Sequence, residues 1–229
     1  MNSLVFRVFK AVDEPESCVR FIEGHKRVLE IYGITMITSN KALWTTHTNT
    51  YVILVESKSD GKVVGGARVQ IADNNLQLPI VEAVKLIDVK IHDIVEKYKK
   101  NFIAELCGLW NSREIAGYGI GSNFLIRTGI ALAKILHIET LIALCAPATV
   151  KMCSKSGFAI EKSLGNDGFF NYPKLDLIAT AMMIKSLYNL ETATTDSQDF
   201  ISDLYQKKIK HTVEKGPKGE IEVEYNLNF

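Results

Sequence analysis

Three glycines fall within five positions in "GYGIG" (Gly117, Gly119 and Gly121), after an apolar run and just before a long amphipathic stretch. Repeated glycine at a helix start costs conformational entropy where one capping side chain would serve. Such a turn gathers free backbone N–H groups at a helix N-terminus, whose dipole adds partial positive charge, and this is the chemistry of a phosphate cradle. Tight strand–helix packing, with no ligand, is the other reading. No Gly-Lys-Ser/Thr follows, which excludes a Walker loop, and Gly-x-Gly-x-Gly after several preceding elements does not fit a dinucleotide fingerprint. Just upstream, Glu105 interrupts the apolar segment "FIAELCGLW", where a charge is costly unless it is paired or functional. An ion pair with Arg68 across the sheet is one explanation, and a chemical role is the other. Strand alternation puts Glu105 on the same side as Cys107 and Leu109.

The elements that must position these residues follow from periodicity. "SLVFRVFKAV" predicts a first strand, and "DEPESCVRFIEGHKRVLEIYGI", with its acidic start and 3.6-residue apolar spacing, a helix. "TYVILVES" and "KVVGGARVQIA" flank the turn signal "KSDG" and predict a hairpin. "LPIVEAVKLIDVKIHDIVEKYKK" is helical, in one or two pieces, and carries His92 on a polar stretch. "NFIAELCGLW" is a strand, "IGSNFLIRTGIALAKILH" a helix and "ETLIALCA" a strand. "PATVKMCSKS" is a short helix opening on Pro147. "GFAIEKSL" and "LDLIATAMMI" are two further strands. After the polar linker "ETATTDSQ", a short helix near "DFISDLYQ" precedes an alternating hairpin around "KGPKGE". The main domain is read as residues 1–190 and a C-terminal extension as 191–229. A lone hairpin is not stable, so it must pack on the main body or on a second subunit, the latter giving a homodimer.

Composition bounds the function. The net charge of +1, with no basic cluster beyond "QKKIKH", argues against nucleic acid. Cys18, Cys107, Cys145 and Cys153 show no CxxC spacing, so they are read as reduced core residues of a cytoplasmic protein, with no metal set and no disulfide. The N-terminus lacks the pattern of a signal peptide, and the longest apolar stretch is too short to span a bilayer.

The order of elements, and "GYGIGSNFLIRTGIALAKIL" in particular, resemble the Gcn5-related N-acetyltransferase (GNAT) superfamily. Its pyrophosphate loop reads Gln/Arg-x-x-Gly-x-Gly/Ala, and Gly119-Ile120-Gly121 occupy the glycine half. "ATVKMCSKSGFAIEKS" resembles the family's helix followed by Gly-Phe, with Gly157-Phe158 opening the sixth strand. The resemblance implies an α/β (α+β) fold: a mixed seven-stranded sheet, splayed between its fourth and fifth strands and flanked by helices. Acyl-CoA would be the co-substrate in the split. Its pyrophosphate would sit on the amides of Gly117, Tyr118, Gly119, Ile120, Gly121 and Ser122, and its pantetheine beside the strand edge at Leu109, Trp110 and Asn111.

Two positions depart from that pattern. Ala116 stands where the family has Gln or Arg, and Arg113 either compensates or is simply exposed. Cys153 stands where the family often has a tyrosine acid. A thiol with an ordinary pKa of about 8.5 can protonate a leaving thiolate, whereas the plainer reading is a small apolar helix residue. Tyr118 and Tyr172 are other candidate donors. Amide formation from a thioester needs a neutral amine, a donor for the oxyanion and a proton for the departing sulfur. Glu105 is the carboxylate expected to take the amine's proton. Glu114, in the loop, is expected to be solvated.

A second resemblance lies in "ALWTTHTNTYVILVESKSDGKVVGGARVQIADNNLQLPI". The acyl-homoserine-lactone synthases and N-acyl amino acid synthases have a tryptophan, a strand, then Val-Gly-Cys-x-Arg-Leu before a Leu-Pro-like segment. Trp44, Gly66, Arg68 and "LPI" fit that order, which implies that Trp44 and Arg68 bind the acceptor substrate. Their Glu-x-Ser-Arg signature is absent here, and their acidic pair is replaced by "THTN". The expectation is therefore an acyl-CoA-dependent N-acyltransferase acting by direct attack on a primary amine of a small molecule or protein, with acetyl the favoured group. The alternatives are a long-chain synthase using acyl-CoA or acyl carrier protein, and a catalytically silent CoA-binding protein.

Overall fold

The computed structural model describes residues 3–34, 42–100 and 102–229. Its centre is one mixed ten-stranded sheet. In chain order the strands and helices are β1 (Ser3–Lys10), α1 (Pro15–Ile31), β2 (Thr50–Ser57), β3 (Val63–Ile71), α2 (Pro79–Val84), α3 (Lys90–Lys99), β4 (Ile103–Asn111) and α4 (Ser122–Ile135). Then come β5 (Thr140–Cys145), α5 (Pro147–Lys155), β6 (Ala159–Ile160), β7 (Phe169–Asn171), β8 (Ile178–Ile184), α6 (Thr195–Lys207), β9 (Ile209–Gly216) and β10 (Gly219–Asn226).

The seven expected strands form one continuous run, β6-β8-β5-β4-β3-β2-β1. Three things were not anticipated. "GFAIEKSL" keeps strand pairing only at Ala159–Ile160, against Met182–Met183. A short strand, Phe169–Asn171, adds to the outer part of β8. The helix after "ETATTDSQ" starts at Thr195, so half of the polar stretch is already its first turn. The C-terminal hairpin joins the same sheet: β10 runs parallel to β1, with Leu4 opposite Val223 and Phe6 opposite Tyr225. Ile221, Val223 and Tyr225 bury their side chains in the core beneath α4, which stabilises the added strands by apolar burial.

Two relationships position the site. Pairing of β4 with β5 is confined to Ile103–Glu105 against Thr140–Ile142, and beyond those residues the two strands part. On its other side β4 carries a bulge: Gly66 faces Trp110 and Arg68 faces Cys107, so β4 uses one residue more than β3 over this span. Gly108 sits there at φ +58, a conformation that glycine takes without strain. The bulge bends β4 and interrupts its alternation. Cys107 stays on the side of Glu105, but Leu109 packs into the core under α4 and Trp110 comes round beneath α1. The expected grouping of Glu105, Cys107 and Leu109 on one face is therefore corrected, because the extra residue flips the register of everything after it.

Helices cover both faces. On one face Leu106 packs with α4, α5 and α6. On the other Ile103 packs with α2 and α3, and Trp110 with Phe21 and Trp44. α6 is tied to α4 by Arg127, which pairs with Asp196 and donates from Nε to Ser197 Oγ at 3.2 Å. Among the described residues, no helix is long and apolar enough to cross a membrane.

Candidate active site

Where β4 and β5 separate, a cavity of about 480 Å³ opens through the sheet. Its walls are mostly aliphatic: Ile80 and Ala83 from α2, Leu106 from β4, Ile126 from α4, and Ala143 and Leu144 from β5. Its polar or ionisable lining is Glu105, Asp176, His25, Tyr172, Thr149, Cys107, Cys145 and Cys153.

Glu105 is 2% exposed. Its Oε2 accepts a hydrogen bond from the backbone N–H of Ile80 at 2.8 Å, in the first turn of α2. Burial pushes its carboxyl up to about 8, offset in part by that N–H and by the positive charge of Arg68. The alternative explanation, an ion pair with Arg68, is not how Glu105 is held: Gln70 is its cross-strand neighbour, and Arg68 lies opposite Cys107. Burial likewise pushes the Cys107 thiol up to about 12.

Cys153 is buried on α5, with its Sγ 3.4 Å from Cys145 Sγ. That contact, followed by burial, raises Cys145 well above the usual thiol range. Both residues line the cavity.

The glycine turn divides into two kinds of position. Gly117 and Gly119 have φ of +93 and +83 and are pressed by the C-terminal hairpin. A Cβ on Gly119 would lie 2.6 Å from the Lys215 carbonyl oxygen. The Lys218 backbone N–H donates to the Gly117 carbonyl at 2.8 Å, and the Lys218 stem lies along Gly117. Gly121 differs. Its backbone is extended, it caps α4 without a side-chain hydrogen bond, and a Cβ there would meet nothing within 4 Å. The first turn of α4 thus opens onto free space, the condition for seating an anion on its N–H groups.

The other expected donor-site residues are dispersed. Leu109 lines the cavity. The Trp110 side chain lies under α1, where a Cβ on Gly24 would come within 2.1 Å of its ring. Asn111 Nδ2 donates to Ser122 Oγ at 3.2 Å, tying the end of β4 to the start of α4. Ile120 is core, and Tyr118 is half-buried beneath the ammonium of Lys218, 5.8 Å from its ring centre. Arg113 is exposed. Glu114 pairs with Lys62 at 2.8 Å, both about half exposed. His92 is exposed on α3.

Trp44 and Arg68 are brought together, but outside the main cavity. The Arg68 guanidinium stacks on the Trp44 ring at 4.2 Å, and the two line a small recess beside Pro79 and Glu82. Arg68 is completely buried, so its charge acts on Glu105, Cys107 and His25 through low-dielectric surroundings.

His25 was not among the residues singled out in the sequence. It shares the inner face of α1 with Cys18 and Phe21. That spacing, three then four residues, was the available signal: a histidine on an apolar helical stripe faces inward. A second unforeseen pair is His47 and Asp73, 2.8 Å apart, which fastens the turn before β2 to the loop after β3. Among the described residues, no three His, Cys, Asp or Glu side chains gather to hold a metal ion.

No family model and no curated protein matches the chain. Solved structures do. FeeM, an N-acyl amino acid synthase from uncultured soil microbes, superposes with a TM-score of 0.63 at 16% identity, over 87% of this chain and 99% of its own. The acyl-homoserine-lactone synthase LasI gives 0.55 at 14% identity, over 89% and 96%. An acyl-CoA N-acyltransferase from Pseudomonas aeruginosa gives 0.54 at 12% identity, over 79% and 99%. The chain has the GNAT fold, in agreement with the order of elements and the splayed sheet.

Proposed function

We propose that the chain is an acyl-CoA-dependent N-acyltransferase. One observation carries the reading: an apolar cavity lies in the split between β4 and β5, holds Glu105, and reaches α4 at Ile126, the helix whose start is left open at Gly121. Structural neighbours of this fold include acyl-CoA N-acyltransferases, N-acyl amino acid synthases and acyl-homoserine-lactone synthases.

In this reading the diphosphate of the donor is held by the N–H groups at the start of α4, and the thioester supplies the activated acyl carbon. Residues 1–190 form the transfer unit, and 191–229 an appended piece whose turn braces the glycine loop. The amine attacks the thioester carbon, its C–N bond forms, and the C–S bond breaks with the electron pair leaving on sulfur. Glu105 takes the proton from the amine nitrogen. A carboxyl held at about 8 is matched to that task, because a base works best when its pKa lies near the working pH. Cys153, facing the same cavity, gives the departing sulfur its proton.

The cavity favours a donor longer than acetyl. Ala143, Cys145 and Ala179 leave its walls shallow, and about 480 Å³ of largely aliphatic space exceeds what an acetyl group fills. Release of free thiol from acetyl- and octanoyl-CoA, with and without a primary amine, tests the function. Amine-dependent release is the expected result. Binding of either donor without release would leave a CoA-binding protein and sink the transferase.

A further inference from the structure

His25 is the one polar side chain that α1 sends into the cavity, and it is 4% exposed. Its ring stands edge-on to Phe21 at 6.0 Å. No hydrogen bond contributes to its electrostatics; burial and the positive charge of Arg68 hold it down to about 4, so the imidazole is neutral. Its ring nitrogens have no hydrogen-bond partner among the described residues. A neutral imidazole on the cavity wall offers one donor and one acceptor nitrogen to a polar ligand, which an aliphatic side chain on the same helical stripe could not do.

The position of His25 says what it meets. Glu105 projects to the α2 side of the sheet, where it accepts from the Ile80 N–H, and Cys107 follows it by alternation, whereas Leu106 packs with α4, whose open N-terminus is the proposed anchor of the donor. A ligand on the α1 side therefore approaches the thioester from the face opposite α4. We propose that His25 is an acceptor-binding residue: its imidazole accepts an N–H of the incoming primary amine and holds that nitrogen on the Glu105 side of the cleft. Leu29, Pro79, Ile80 and Ala83 contribute aliphatic wall to the cavity alongside the carboxylate of Asp176, so the amine proposed to fit carries an apolar body. This inference rests on the transferase reading above.

The test uses the full chain, octanoyl-CoA, and two probe amines, 2-phenylethylamine and ethanolamine. Wild type is measured first. Thiol release with neither amine overturns the transferase reading and His25's role with it. Release with ethanolamine but not 2-phenylethylamine overturns the acceptor class alone. With 2-phenylethylamine as acceptor, His25→Leu is expected to lose at least tenfold in kcat/KM for the amine. Its affinity for octanoyl-CoA should stay within twofold, and its melting temperature should not fall. His25→Gln, which keeps an acceptor atom, should recover part of the loss. Equal kcat/KM for wild type and His25→Leu overturns the proposal. So does equal loss in both variants together with a lowered melting temperature, the mark of a packing residue.

Discussion

Glu105 Oε2 lies 2.8 Å from the backbone nitrogen of Ile80, so the buried carboxyl of β4 is held by the first turn of α2. This single N–H fixes the direction of the carboxyl without neutralising it. Burial outweighs both the N–H and the Arg68 charge, and the group titrates at about 8 against an ordinary 4.5.

The first prediction follows from that displacement. The ionised base grows as pH rises towards 8, so kcat/KM, corrected for the neutral fraction of the amine, should climb through that range and then level. Glu105→Gln should lower turnover by about a hundredfold or more and show no such climb, with donor affinity little changed. The same shift acts on stability. The folded state binds a proton that the unfolded state has released, so this contribution is fully present below pH 4.5 and is lost as pH rises through 8. Denaturation of Glu105→Gln should therefore show a flatter pH dependence, with the variant gaining on wild type as pH approaches 8. A wild-type rate profile in the variant would return Glu105 to a structural role.

The second concerns Arg68, whose charge lowers Glu105 from a distance. Arg68→Gln removes that charge, so the rise in rate should move to higher pH, while Arg68→Lys should keep it nearer wild type. The stack on Trp44 is lost too, and a desolvated cation–π contact is worth about 2 kcal/mol. Urea unfolding of Arg68→Gln should show at least that loss. An unmoved pH profile would mean that the Arg68 charge does not act on Glu105, leaving burial and the Ile80 N–H to set it.

Periodicity and turn residues were enough to read β1 to β5, α1, α4 and the terminal hairpin, because each buries one face at a constant repeat. They were not enough to place Leu109 and Trp110. The Gly108 bulge inserts one residue into β4, and alternation carries no information across it. The glycine inside the strand was the visible warning. Two of the three loop glycines were also read too simply. Gly117 and Gly119 are shaped by Lys215 and Lys218 from nearly a hundred residues further on, a contact that no local pattern encodes. Glu105 was legible because a carboxylate in an apolar strand is costly. His25 was not, because a neutral histidine on a helical stripe reads like any other core residue.

The third prediction separates those glycines. Gly121→Val places its branched side chain in open space on ordinary extended backbone, so folding should be nearly unaffected. Donor affinity should fall at least tenfold, since that space is where the anion must enter. Gly119→Val meets the Lys215 carbonyl and a left-handed backbone, and should lose about 2 kcal/mol or more of stability. Calorimetric titration with CoA and thermal melts of both variants distinguish the two effects. Unchanged affinity in Gly121→Val would remove the phosphate from the start of α4.

The last prediction is the length of the acyl chain. The missing Glu-x-Ser-Arg signature spoke for acetyl, whereas the cavity between β4, β5 and β8 speaks for more carbon. Octanoyl carries six more methylenes than acetyl, and each one buried contributes up to about 0.8 kcal/mol. A tenfold preference needs only about 1.4 kcal/mol, less than two methylenes fully removed from water. Octanoyl-CoA should therefore bind at least tenfold more tightly than acetyl-CoA if the chain enters this space. Ala143→Leu, on the β5 wall, should erase much of that advantage while leaving acetyl-CoA affinity within a few-fold, at a packing cost of about 1–3 kcal/mol. Equal affinity for the two donors in wild type would mean that the cavity serves the acceptor and the pantetheine arm alone, and acetyl would again be the favoured group.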